Sequence, residues 1–253
     1  MSFLLRFELL GPLEILNKDT VVTPSTPKLR QVLALLSMRA NQVVGMDVLV
    51  QELWDADPPR SAITTLQTYV CQLRRWLAES DPELHPEETL RTRPRGYVLQ
   101  VDDDRLDVRV FERLVEDGER LSRAGRSGLA MERLAEAAGL WRGPVLADVT
   151  CGVLLKTHAA HLEELRLRAI ELRVQTGMAM GQHRHLVAEL QSLTATYPLN
   201  EWLHAQLMQA LNRCGRRGDA LKAYHGLRVV LAEELGVDPS PELKRLHEQL
   251  LRL

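Results

Sequence analysis

The sequence has too few cysteines, too widely separated, to build a framework from. Cys71, Cys151 and Cys214 are three in number and scattered over 253 residues, so neither a disulfide scaffold nor a zinc site is indicated. No apolar run approaches the roughly 20 residues of a membrane span, and Met1-Ser2-Phe3-Leu4-Leu5-Arg6 lacks the plan of a secretory leader. A soluble protein of a reducing, cytoplasmic compartment is expected, with no membrane partner. Catalytic signatures are missing as well: there is no Gly-rich phosphate loop, GxSxG elbow or HExxH. His158 with His161, and His183 with His185, have spacings that suit a metal, but no third ligand is near in sequence. Surface histidines are the plainer reading, and no enzyme, metal or cofactor is expected. An excess of positive charge is also absent. Residues 1–106 carry twelve Lys+Arg against fifteen Asp+Glu, the remainder twenty against nineteen, and the whole chain is net −2. Bulk electrostatics does not draw such a chain to nucleic acid, so any attraction must come from local placement.

Local placement is what the stretch from Pro58 to Val101 provides. Arg60–Glu79 reads as one amphipathic helix. At 100° per residue, Leu66, Val70, Leu73 and Leu77 share one narrow stripe. The opposite face carries Ser61, Thr64, Thr65, Thr68, Cys71, Gln72 and Arg75, with Gln67 and Arg74 at its edges. No acid interrupts it before Glu79, whereas an ordinary surface helix would show Glu and Lys. Hydroxyls, amides and arginines suit phosphates and base edges. Leu90–Val101 follows as a basic hairpin, with Arg91, Arg93 and Arg95 around a Pro94/Gly96 turn. Helix and hairpin in series predict a winged helix-turn-helix and hence DNA binding.

The preceding residues fit that order. Phe3–Phe7, Leu9–Leu16 and Thr20–Thr23 are strand-like, with a bend at Gly11-Pro12. Thr26 and Pro27 open a helix as N-cap and first helical residue, with Leu29, Val32, Leu33 and Leu36 on its core face. Asp47–Trp54 is a second helix, and Asp55–Pro59 the turn before the third. Past Asp102-Asp103-Asp104 the chain changes character. Helices are expected over Val108–Arg123, Gly128–Trp141, Val153–Met180, His185–Thr196, Glu201–Arg213, Gly218–Leu235 and Pro241–Leu253. Gly125-Arg126-Ser127-Gly128 recurs as Gly215-Arg216-Arg217-Gly218, and Gly181 and Gly215 lie 34 residues apart, the tetratricopeptide period. Three stacked helical pairs with a capping helix are the economical arrangement, interrupted by an extended insertion at Trp141–Asp148. The fold class is therefore mainly α. A winged helix-turn-helix with a small sheet occupies residues 1–106, and an all-α repeat domain occupies residues 107–253.

The chain resembles the Streptomyces antibiotic regulatory protein family. The matching segments are Phe7–Ile15, Pro59–Val70, Leu73-Arg74-Arg75, Arg95-Gly96-Tyr97, Leu140–Pro144 and Glu233–Pro239, spread over almost the whole length. The resemblance implies an OmpR-type winged helix followed by a bacterial transcriptional activation domain. It also implies binding to direct repeats in promoters of secondary-metabolite clusters, and recruitment of RNA polymerase holoenzyme. The chain has the extent of a small member, without the nucleotide-binding and sensor regions of larger relatives. Cys71 departs from the pattern, since a larger polar or aromatic residue is expected there, and this leaves base preference open.

The expected division of labour follows. Thr64, Thr65, Thr68, Cys71, Gln72, Arg75, Arg93 and Arg95 meet bases or the grooves, with Arg93 or Arg95 at the wing tip reaching the minor groove. Trp54, Arg60, Gln67, Arg74, Arg91 and Thr92 hold the backbone, although Trp54 could equally be packing against the third helix. Two copies are expected head-to-tail on direct repeats about 10.5 bp apart. Two other classes stay open on the residues alone: a ligand- or peptide-responsive repressor with the same DNA-binding half, and a helical-repeat interaction scaffold.

Overall fold

The computed structural model describes residues 5–252. The expected strand residues Phe3 and Leu4 therefore lie outside the described residues.

The chain opens with an antiparallel sheet of β1 (Leu5–Glu8), β2 (Glu14–Asn17) and β3 (Thr20–Val21), in which Phe7 faces Ile15 and Leu16 faces Val21. Side chains alternate across β1 as a half-buried strand requires: Leu5 and Phe7 are buried and Arg6 is exposed. The strand expected over Leu9–Leu16 is shorter, because Leu9–Leu13 leaves the sheet. Its backbone is claimed elsewhere. Leu9 and Leu10 N–H donate to Asp107 Oδ2 at 2.7 and 2.8 Å, and Leu13 N–H donates to Asp148 at 2.7 Å. The carbonyls of Leu9 and Leu10 accept from Leu146 and Arg142 N–H.

Three helices follow, α1 (Pro27–Met38), α2 (Met46–Trp54) and α3 (Ala62–Ser80). Thr26 holds the cap position of α1, but its hydroxyl makes no capping bond; Pro27 at the first turn suffices to set the start. Helix α3 begins two residues later than expected, because Ala62 N–H closes a turn on the Pro59 carbonyl, which leaves Arg60 outside the helix. Leu66, Val70, Leu73 and Leu77 are each at most 1% exposed, so the predicted stripe is the buried one. Trp76, on the flank, anchors α3 to the first sheet through a 2.6 Å bond from its indole N–H to the Val22 carbonyl.

A short helix α4 (Pro86–Thr89) leads into β5 (Leu90–Arg93) and β6 (Gly96–Leu99). The hairpin is not alone, as expected, but is joined by β4 (Val44–Gly45), giving the order β4-β6-β5. This third strand explains Gly96: a Cβ there would stand 2.1 Å from the Val44 carbonyl oxygen.

Among the described residues, seven helices carry the rest: α5 (Asp107–Arg123), α6 (Ser127–Gly139), α7 (Val153–Ala179), α8 (His183–Thr196), α9 (Glu201–Arg213), α10 (Arg217–Leu235) and α11 (Pro241–Arg252). The repeat has a backbone counterpart. Gly125, Gly181 and Gly215 all have φ near +73°, at +72°, +73° and +75°. Each is followed by a residue whose N–H reaches five positions back: Arg126 to Leu121, Gln182 to Gly177 and Arg216 to Leu211. The same glycine-terminated helix closure thus recurs at the same point of each repeat.

The residues form two compact units. One comprises residues up to Asp117 with Arg133–Ala169, and the other Gly118–Glu132 with Ile170 onward. The units do not part at residue 106, since the stretch around Trp141–Leu155 packs with the winged helix. The second unit closes around Leu186, Leu190, Leu203, Met208, Tyr224 and Leu227.

Candidate nucleic-acid interface

The solvent face of α3 is built as its sequence demands. With the leucine stripe buried, Thr64, Gln67, Thr68, Cys71, Gln72 and Arg75 are exposed and Thr65 is half-exposed. The Thr68 hydroxyl donates to the Thr64 carbonyl at 3.0 Å, one turn back, and Thr65 Oγ1 lies 3.5 Å from Ser61 Oγ. Ile63, 54% exposed in the first turn, adds an apolar side chain of the kind that meets a thymine methyl group. Its place beside the apolar stripe makes it read as core in a helical projection; in the first turn of α3 it faces solvent instead.

The arginines separate into two sets. Arg60, Arg75, Arg93 and Arg95 are exposed, and none has a protein acceptor among the described residues. Arg74 and Arg91 are committed. Arg74 donates through Nε and Nη2 to the Leu90 carbonyl at 3.0 and 2.8 Å, and through Nη2 to Thr92 Oγ1 at 2.9 Å. It therefore ties α3 to β5 and sets where the wing stands. Arg91 Nε donates to the Glu88 carbonyl at 2.7 Å.

The wing tip is a two-residue turn, Pro94-Arg95, between paired Arg93 and Gly96. Proline supplies its fixed φ at the first corner, and Arg95 adopts φ +67° at the second. Glycine or asparagine is usual there, so an arginine holds this conformation at a cost of about 1 kcal/mol. The Arg95 carbonyl accepts from Met46 N–H at 2.8 Å, which fixes the turn against the start of α2. Burial raises the Tyr97 hydroxyl pKa, against the opposing pull of Arg74.

Trp54 stacks on Tyr69 of α3, with ring centroids 6.4 Å apart and planes 19° from parallel, and Lys28 Nζ lies 5.9 Å from its centroid. It is half-buried, so packing against α3 is one role it performs. The histidines do not gather a metal: among the described residues, no group of three or more His, Cys, Asp or Glu is placed to hold one.

Elsewhere in this unit, charged side chains are bound up in polar contacts. Arg142 pairs with Glu8 at 3.1 Å and Glu14 at 2.7 Å, and Arg30 pairs with Asp148. Glu52, 3% exposed, accepts from the N–H groups of Gly152 at 2.6 Å and Leu154 at 2.9 Å, capping the start of α7 from α2. Asp107, received by the Leu9 and Leu10 amides, has its pKa raised to about 6 because burial outweighs those bonds and the Arg142 charge.

A buried helical stripe, an acid-free face, unpaired guanidiniums and a basic wing define a winged-helix transcriptional regulator followed by helical repeats. The comparisons agree. Residues 20–99 match the family described as transcriptional regulatory protein, C terminal, and residues 106–251 match the bacterial transcriptional activator domain. The regulatory protein DnrI of Streptomyces peucetius is 43% identical over 251 residues, which is 98% of this chain and 92% of DnrI. The transcriptional regulatory protein EmbR of Mycobacterium tuberculosis is 36% identical over 98% of this chain, which spans 63% of EmbR. A solved structure of that EmbR with a low-affinity phosphopeptide superposes with a TM-score of 0.89 at 36% identity, covering 99% of this chain and 66% of that one. The chain belongs to the Streptomyces antibiotic regulatory protein family and is a transcriptional regulator of that type. No helix among the described residues is long and apolar enough to cross a membrane.

Proposed function

We propose that this chain is a pathway-specific activator of an antibiotic or other secondary-metabolite gene cluster. Its winged helix (residues 1–106) binds direct repeats in promoter DNA, and its activation domain (residues 107–253) recruits RNA polymerase holoenzyme. Helix α3 enters the major groove with Thr64, Thr65, Thr68, Cys71, Gln72 and Arg75 toward the bases. Arg93 and Arg95 reach the adjacent minor groove. Arg60, Gln67, Thr92 and the Trp54 indole N–H hold phosphates, while Arg74 and Arg91 act mainly by placing the wing. Threonine contacts discriminate softly, so selectivity rests partly on DNA shape. Two copies lie head-to-tail on repeats about one helical turn apart. The protein works in the cytoplasm and catalyses no reaction.

The observation that carries this reading is the four exposed guanidiniums without protein acceptors around an acid-free helix face. In a domain with more acids than bases, free cations gathered on one surface mark the side that meets phosphate. Exposed Val229, Leu235 and Val237 on the helical repeats support a protein partner there.

The test is fluorescence anisotropy of the full chain on two promoter duplexes. One carries two direct repeats a helical turn apart, and the other has one repeat shifted by half a turn. Preference for the in-phase duplex, lost in Arg93→Ala or Thr68→Ala, is expected. Equal, weak, salt-sensitive binding to both would overturn the tandem reading and turn attention to the helical repeats.

A further inference from the structure

A second group of basic side chains, distinct from those of α3 and the wing, lies within the same compact unit. Arg39 closes the carbonyl end of α1, Arg109 lies in the first turn of α5, and His158 and His161 share one face of α7. The four line one cavity of about 320 Å³, over apolar Met38 and Leu162. That volume is at the small end of ligand sites, enough for a phosphate with a short organic group.

The charges around this cavity do not balance. Arg109 is paired with Glu112 at 2.8 Å. Arg39 has no carboxylate partner among the described residues. Its Nε donates to Nε2 of His158 at 3.3 Å, and its two terminal nitrogens have no acceptor among those residues. An imidazole nitrogen accepts a hydrogen bond only when it carries no proton, so this contact requires neutral His158. Burial, Arg39, His161 and Arg109 all lower the His158 pKa, and Glu52 alone opposes them. Glu112 also lines the cavity, but Arg109 already engages it. The end of α1 offsets part of the Arg39 charge, yet a helix terminus carries only about half a unit. A half-buried guanidinium whose partner is a neutral base keeps donors that suit an anion.

We propose that this cavity binds a small phosphate-bearing anion between Arg39 and His158. On binding, His158 takes one proton from solvent, so that Nε2 changes from acceptor to donor, and Arg39 turns its freed donors to the phosphate oxygens. His161 adds a further contact from the exposed rim. The site therefore fills more tightly at about pH 6 than at about pH 8, where imidazole protonation is unfavourable. It shares no residue with the proposed DNA-binding surface and does not depend on that reading.

The experiment is histidine-ring NMR of the full chain, titrated with inorganic phosphate, with glycerol 3-phosphate, and with sodium chloride at matched ionic strength. Both phosphates are expected to shift the His158 and His161 resonances and to raise the His158 pKa. Arg39→Gln should weaken binding about tenfold, the loss of one charge-assisted contact. His161→Gln, at an exposed position, gives a second readout if Arg39→Gln does not fold. Tighter binding of glycerol 3-phosphate would assign a small phosphorylated metabolite, and equal binding free phosphate. Identical shifts with chloride, an unchanged His158 pKa, or undiminished binding in the variants would overturn the site.

Discussion

Two regions of the winged-helix unit use their polar groups in contrasting ways. In the region formed by Leu9–Leu13, Glu52 and the Trp141–Leu155 stretch, carboxylates and guanidiniums are matched to one another or to backbone amides. In the region formed by α3 and the wing, Arg60, Arg75, Arg93 and Arg95 have nothing within the protein to bind among the described residues. Polar groups matched within the protein hold a scaffold; exposed ones without a protein acceptor are left to solvent. The same residue type serves both purposes. Arg142 clamps two glutamates, whereas Arg75 faces solvent about two turns from Thr68.

That contrast predicts different penalties in the two regions. The largest is expected at Glu52. Glu52→Ala leaves the Gly152 and Leu154 amides uncapped and opens a hole beside α2, and should cost about 3 kcal/mol, read as a fall in the denaturant midpoint. A midpoint unchanged by the substitution would break the comparison. Next comes Asp107. Its folded pKa, about 6, stands above the ordinary 3.8, so burial favours its protonated form. Its contribution to stability is therefore complete below about pH 4 and is lost as pH rises through about 6, by up to about 3 kcal/mol. Asp107→Asn keeps an acceptor for the two amides and should flatten that segment of the stability–pH curve.

On the side of α3 and the wing the expected losses are chiefly in binding. Arg75→Ala should weaken promoter affinity by about 1–3 kcal/mol while the melting temperature stays within about 1 °C. A drop in stability instead would place Arg75 with the scaffold. Arg74→Ala sharpens the line between the two regions, because it should lose about 1 kcal/mol of stability as the wing loosens, and binding with it. The smallest effect is at the wing tip. Arg95→Gly removes the strained φ of +67° and should stabilise the fold by up to about 1 kcal/mol, even as duplex affinity falls.

Legibility in the sequence followed the range of the interactions. The α3 stripe, the acid-free face and the glycine-ended repeat turns were readable, since each depends on neighbours within a few residues. The distinction between Arg74 and Arg75 was not. Both lie on the polar side of the helix, and only the position of the Leu90 carbonyl shows which one is occupied. Strand β4 was missed because two residues, Val44 and Gly45, carry no periodicity, although Gly96 is unintelligible without them. The Leu9–Leu13 stretch read as strand from its apolar content, but Asp107 and Asp148 take its amides from 98 and 135 residues away.

By itself, then, the sequence determined the order of elements, the buried stripe of α3 and the chemistry of the face opposite. Periodicity and turn residues act locally, and the solvent face of a helix is whatever its core face leaves over. Tertiary structure alone decided which arginines are free, how the Trp141–Asp148 insertion is used, and that Glu52 caps a helix starting 101 residues later. Those outcomes depend on where distant backbone groups come to rest, and no local pattern along the chain encodes that.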